Sequence, residues 1–231
     1  MTGAARPAFY ALRPGGWRDY VTLLHPPYTL WHLSYVALGA ALAPRMRWGM
    51  LGWTTLAFLL AMGVGAHALD ELQGRPLRTR IPDGVLIALA VVSIGAACAI
   101  GVVVATQSTL WLLAFVAAGG FIVVAYNLEL LGGALHSDAW FAGAWGAFPV
   151  LTAYFASAER IRAEAVAAAA FAFVVSLAQR RLSTEARRVR RGGGELPPDA
   201  ERLLRAPESA LRLLSAALPA LAGALLLMRA G

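Results

Sequence analysis

Residues 84–105 run without one charged side chain. A helix needs roughly 20 residues to cross the hydrocarbon core of a bilayer. An uninterrupted apolar run of this length predicts a transmembrane helix. Comparable stretches recur along the chain, and the pattern predicts seven spans, over roughly 27–43, 48–70, 84–105, 110–129, 140–157, 164–179 and 209–229. Composition agrees. Of 231 residues 59% are hydrophobic and only 14% are charged, whereas a soluble domain carries about 25% charged residues. One compact core of this size has no room for that much apolar surface, so the expected class is an all-α, polytopic helical bundle in a membrane. No internal repeat and no second domain is evident, so residues 1–231 are taken as one membrane domain.

Every one of the 20 cationic Lys+Arg positions is arginine. A basic chain suggests nucleic acid, but these arginines sit in loops between apolar spans, where they orient the chain and meet anionic lipid. With the N-terminal segment 1–24 placed in the cytoplasm, fourteen arginines fall on that side and five on the other. The bias predicts N-terminus in and C-terminus out, in the plasma membrane of a bacterium or archaeon. The basic segment 180–208 reads as a cytoplasmic loop: Gly192-Gly193-Gly194 and Pro197-Pro198 interrupt a helix, and Asp199 to Arg205 suits a short surface helix. Trp17, Trp48, Trp111 and Trp140 sit near span ends, with Trp31, Trp53 and Trp145 about a turn further in, as in an interfacial aromatic belt. Cys98 is the single cysteine, which excludes a disulfide framework within the chain. Residues 1–24 lack the apolar core of a signal peptide.

Polar side chains at membrane depth are costly and raise a functional expectation. They cluster at one end of the spans. His67, Asp70 and Glu71 close span two with i, i+3, i+4 spacing, which puts them on one helical face. Imidazole and carboxylate together suit a divalent metal. Arg75, Arg78 and Arg80 follow in a loop opened by Pro76. Tyr126, Asn127 and Glu129 close span four, and His136 and Asp138 open span five. His25, beside Pro26-Pro27, reads as interfacial, and His32 as facing the interior. The candidate metal ligands are thus His67, Asp70, Glu71, Glu129, His136 and Asp138. The absence of an inverted repeat argues against a transporter, and the absence of an Asp-Gly…Ala-Arg signature against a CDP-alcohol phosphotransferase.

Three stretches resemble the UbiA superfamily of intramembrane prenyltransferases. His25-Pro26-Pro27-Tyr28-Thr29-Leu30, running on to Gly39, is similar to that family's first helix. Ala66 to Ile81 is similar to its first aspartate-rich motif and Arg-Pro-Leu loop, with Asp70, Arg75 and Pro76 matching and Ala66-His67 standing where the family has Asn-Asp. Tyr126 to Tyr154, with Gly143, Gly146 and Pro149, resembles the region joining its fourth and fifth helices. The resemblance implies transfer of an isoprenoid from a diphosphate to a lipophilic or aromatic acceptor, with Mg2+ as cofactor. Asp70 and Glu71 are the implied catalytic residues, and Arg75, Arg78, Arg80, Tyr126 and Arg180 the implied diphosphate-binding residues. The departures are specific. No carboxylate pair follows span six, where Ser176 to Ser183 stands instead, and no Lys-Arg pair follows Tyr126. The family has nine helices against the seven spans expected here. Two further expectations stay open: a rebuilt His/carboxylate site for Zn, Fe or Mn acting on a lipid, and a non-catalytic scaffold that binds lipid or a partner membrane subunit.

Overall fold

The computed structural model describes residues 6–191 and 199–231. Among them the chain is all-helical, with no strand. After an N-terminal segment that contains Phe9 and Tyr10, Gly15 and Gly16 at φ 121° and 62° turn the backbone into α1 (Trp17–Leu23). His25, left-handed at φ 45°, leads into α2 (Pro26–Leu42), whose first two positions are prolines that need no intrahelical donor. Residues 48–72 form one long helix in three parts: α3 (Trp48–Phe58), a π-helical segment Leu59–Ala66, and α4 (His67–Leu72). Then come α5 (Asp83–Gln107) and α6 (Leu112–Asn127). Residues 138–158 repeat the three-part pattern, with α7 (Asp138–Ala142), a second π-helical segment Gly143–Ala147, and α8 (Phe148–Ala158). Two long helices, α9 (Ala163–Arg191) and α10 (Ala200–Ala230), complete the bundle.

Four helices are long and apolar enough to cross a membrane: Trp48–Leu72, Asp83–Gln107, Ala163–Arg190 and Ala200–Ala230. Leu112–Asn127 is a shorter apolar helix. The remaining expected spans, 27–43 and 140–157, are helical as well, though α2 has only 17 residues and the second run is interrupted by its π segment. Val91, Val92, Leu213 and Leu227 lie exposed on the outer faces, as suits helices solvated by lipid.

The basic stretch that begins at Arg180 is a helix rather than a loop as far as Arg191. Nothing in residues 180–191 breaks a helix, Ala186 and Ser183 are buried against the bundle, and Glu185 pairs with Arg188 one turn on. The Gly192–Gly194 and Pro197-Pro198 breakers lie outside the described residues. Asp199 to Arg205 belongs to the start of α10, which continues through Pro207.

The core is built on α2. Trp31, Tyr35 and Leu38 pack against Val150 of α8, Ala169 and Ala172 of α9, and Leu218 of α10. Trp31 is therefore no belt residue: it is fully buried and donates Nε1–H to the Tyr35 hydroxyl at 2.7 Å. Small residues allow the close approach. On α9 the buried positions are Ala165, Ala169, Ala172, Ser176, Gln179, Ser183 and Ala186, a stripe repeating every three or four residues. Gly146 faces that stripe so closely that a Cβ there would lie 2.5 Å from the Ala172 carbonyl oxygen. At Gly39 it would lie 2.2 Å from the Val150 carbonyl oxygen of α8.

Candidate functional site

At the end of the bundle where α4 and α6 finish and α2 begins, a cavity of about 300 Å³ lies between α2, α4, α6, α7, α9 and α10. All four histidines of the chain, His25, His32, His67 and His136, line it. So do Asp70, Tyr126, Gln179, Arg180, Arg187 and Arg190. Of the residues expected from sequence, His67, Asp70, Tyr126, His136 and Arg180 are brought together here from four stretches of chain.

Three of the histidines are held by backbone carbonyls. His67 Nδ1 lies 3.0 Å from the Gly63 oxygen, His32 Nδ1 2.8 Å from the Trp145 oxygen, and His136 Nδ1 3.1 Å from the Tyr126 oxygen. A carbonyl oxygen only accepts, so each Nδ1 is a donor, and in a neutral ring the lone pair then lies on Nε2. Local sequence explains one of these contacts directly. Trp145 lies four residues before Pro149, which has no amide hydrogen to offer its carbonyl, and His32 donates there instead. The two π-helical segments supply both carbonyls that orient His67 and His32; such segments recur at functional sites. His25 stacks flat on His67, with ring centres 4.0 Å apart.

Arginines line the mouth. Arg180 donates to Asp138 Oδ1 at 3.2 Å, reaches His136 Nε2 at 3.4 Å and lies over the Phe141 ring. Arg190 makes a bidentate pair with Glu208 at 2.5 and 2.9 Å, which ties α9 to α10, and also donates to the Arg6 carbonyl. Arg187 is held by Ser183 and Thr184. Phe9 and Tyr10 cover part of the opening: Tyr10 is hydrogen-bonded to His25 Nδ1 at 2.9 Å, and Phe9 packs edge-on to Tyr28 beneath Arg212. Within the lining, the Tyr126 hydroxyl and Gln179 Oε1 are buried without a protein hydrogen-bond partner among the described residues. An apolar cleft of about 100 Å³ adjoins the cavity. Met62 and Trp145 line both spaces.

Other expected site residues lie elsewhere. Glu71 is fully buried and accepts amide hydrogens from Leu77 at 2.9 Å and Thr79 at 2.8 Å, so its carboxylate organises the turn after α4 instead of reacting or holding metal. Arg75, left-handed at φ 57°, turns back onto the Thr79 and Ile81 carbonyls and Asp83, and braces the same turn. Arg78 and Arg80 are exposed and do not line the cavity; the Arg80 amide donates to Asp19. Glu129 and Asp138 are exposed, Glu129 standing 3.9 Å from His136 Nδ1 and Asp138 paired with Arg180. Consequently, among the described residues no three His, Cys, Asp or Glu side chains come together as a metal site. Of the four expected carboxylates, Asp70 alone lines the cavity, together with His67 and His136; Glu71 is committed to backbone amides and Asp138 is paired with Arg180.

Gln179, Arg187, Arg190 and Tyr28 are lining residues that sequence reasoning missed. The small-residue stripe on α9 was the available signal, because Gln179 and Ser183 continue it toward the basic end. No family model, curated protein or solved structure matches this chain.

Proposed function

We propose that this is a seven-span integral membrane protein of UbiA-like architecture that transfers an isoprenoid from a diphosphate donor to a lipophilic acceptor. One observation carries the reading: three arginines, Asp70 and Tyr126 meet at a polar cavity that adjoins an apolar cleft through Met62 and Trp145. An amphiphile with an anionic head and a hydrocarbon tail matches that division. Arg180 and Arg187 would neutralise charge developing on the leaving diphosphate. The cleft, walled by Phe58, Ile94, Val116 and Phe148, would take the first part of the tail. The arginine-rich end would face the cytoplasm.

Native mass spectrometry of the protein in nanodiscs, with farnesyl and geranylgeranyl diphosphate as probes, tests the reading. Retention of one diphosphate per chain is expected, with at least tenfold weaker retention in Arg180→Gln. No retention of either probe, or equal retention by the variant, overturns it.

A further inference from the structure

We infer that His32 and His67 form a neutral proton-accepting pair that receives the O–H of a ligand at the floor of the polar cavity. They come from different helices, and each has its Nδ1–H committed to a carbonyl of a different π-helical segment. That commitment reverses the tautomer in which Nε2 carries the hydrogen, and both rings present a lone pair instead. Two orientations imposed independently on one cavity are unlike ordinary core packing, where a buried imidazole uses both nitrogens. Gln179 Oε1, 98% buried in the same lining, adds a third acceptor without a protein donor among the described residues. The Tyr126 hydroxyl, in the same lining, is likewise without a protein hydrogen-bond partner among the described residues. An uncompensated acceptor at membrane depth is costly, so the cavity favours a molecule that brings hydrogen-bond donors to it. Arg180 occupies His136 Nε2, so the third carbonyl-held histidine serves the mouth and not the floor.

The binding site stands on this geometry, while the chemical step rests on the transfer reading above. In that step the acceptor's oxygen bonds to the allylic carbon. The C–O bond to the diphosphate breaks and its electron pair leaves with the diphosphate. The hydroxyl proton passes to Nε2 of His67 or His32, and the imidazolium then returns it to water in the cavity. His67 stands where the resembled family has a carboxylate motif, so an imidazole replaces an acid at this position.

The test uses the full chain labelled with 15N-histidine in nanodiscs, with phenol as probe and toluene as the isosteric control that lacks a hydroxyl. Four histidines give a spectrum simple enough to assign by single substitution. At neutral pH, His32 and His67 are expected as Nδ1–H tautomers with unprotonated Nε2. Phenol should shift both Nε2 resonances and toluene neither. His67→Gln and His32→Gln should each weaken phenol binding at least fivefold. Nε2–H or charged rings in the wild-type protein overturn the inference without any variant having to fold, and so does an equal response to toluene. Loss of isoprenoid-diphosphate binding with the phenol response intact refutes the transfer reading and leaves the histidine pair standing.

Discussion

Glu71→Gln separates a residue that holds the fold from one that acts in the site. The Glu71 carboxylate is fully buried and takes two backbone amide hydrogens, from Leu77 at 2.9 Å and Thr79 at 2.8 Å. Glutamine keeps one acceptor oxygen and turns an NH2 group toward the other amide. The substitution removes one charge-assisted hydrogen bond and leaves a buried N–H facing another donor. Charge-assisted bonds contribute about 1.5–3 kcal/mol and an unsatisfied buried group costs about 1–3 kcal/mol, so a loss of about 3 kcal/mol, near the low end of their sum, is expected. For a chain of this size each kcal/mol moves the midpoint by roughly 2–4 °C, which places the fall at roughly 6–12 °C. Thermal unfolding in detergent reads it, scanned at two rates because unfolding of such proteins is often irreversible. Any folded variant should retain isoprenoid diphosphate with unchanged affinity, since Glu71 does not line the cavity. An unchanged midpoint with lost ligand retention would refute the reasoning and return Glu71 to the chemistry.

Two glycines in apolar helices should respond oppositely to alanine. Gly39→Ala drives a Cβ to 2.2 Å from the Val150 carbonyl, which only a backbone shift relieves, and should cost about 1–3 kcal/mol or more. Gly49→Ala meets nothing within 4 Å and should be neutral or stabilise by about 0.5–1 kcal/mol; thermal midpoints of the pair in one detergent check both signs. Pro149→Ala returns an amide hydrogen four residues after Trp145 and sets it in competition with His32 for that carbonyl. The 15N spectrum of His32 should shift toward a mixture of tautomers while His67, held by Gly63, stays unchanged.

Part of the candidate site was legible because polar groups at the ends of apolar runs are so costly there. Asp70, His67, Tyr126, His136 and Arg180 each stood out on that ground, and the cavity collects all five. Glu71 was legible as unusual but not in its role. An ideal helical wheel puts it with His67 and Asp70, and only the folded turn reveals that two amides from residues 77 and 79 take both its oxygens. Arg75, Arg78 and Arg80 failed as cavity residues for a related reason. Two of them adopt left-handed backbone, at φ 57° and 56°, and nothing in the local composition announces where such a turn sends its side chains.

The sequence by itself determined that the chain is a helical bundle with helices able to cross a membrane, because uncharged runs of such length leave the backbone no other way to satisfy its hydrogen bonds in lipid. It also determined which end of the bundle is polar. Only the tertiary structure decided which polar groups face one another. That depends on shifted hydrogen-bond registers in the two π-helical segments, on the close approaches at Gly39 and Gly146, and on the helical continuation of α9 past Arg180. These are matters of a few ångströms and one hydrogen bond each. They arise from packing between residues more than a hundred positions apart, such as His32 and Trp145, and leave almost no trace in local composition.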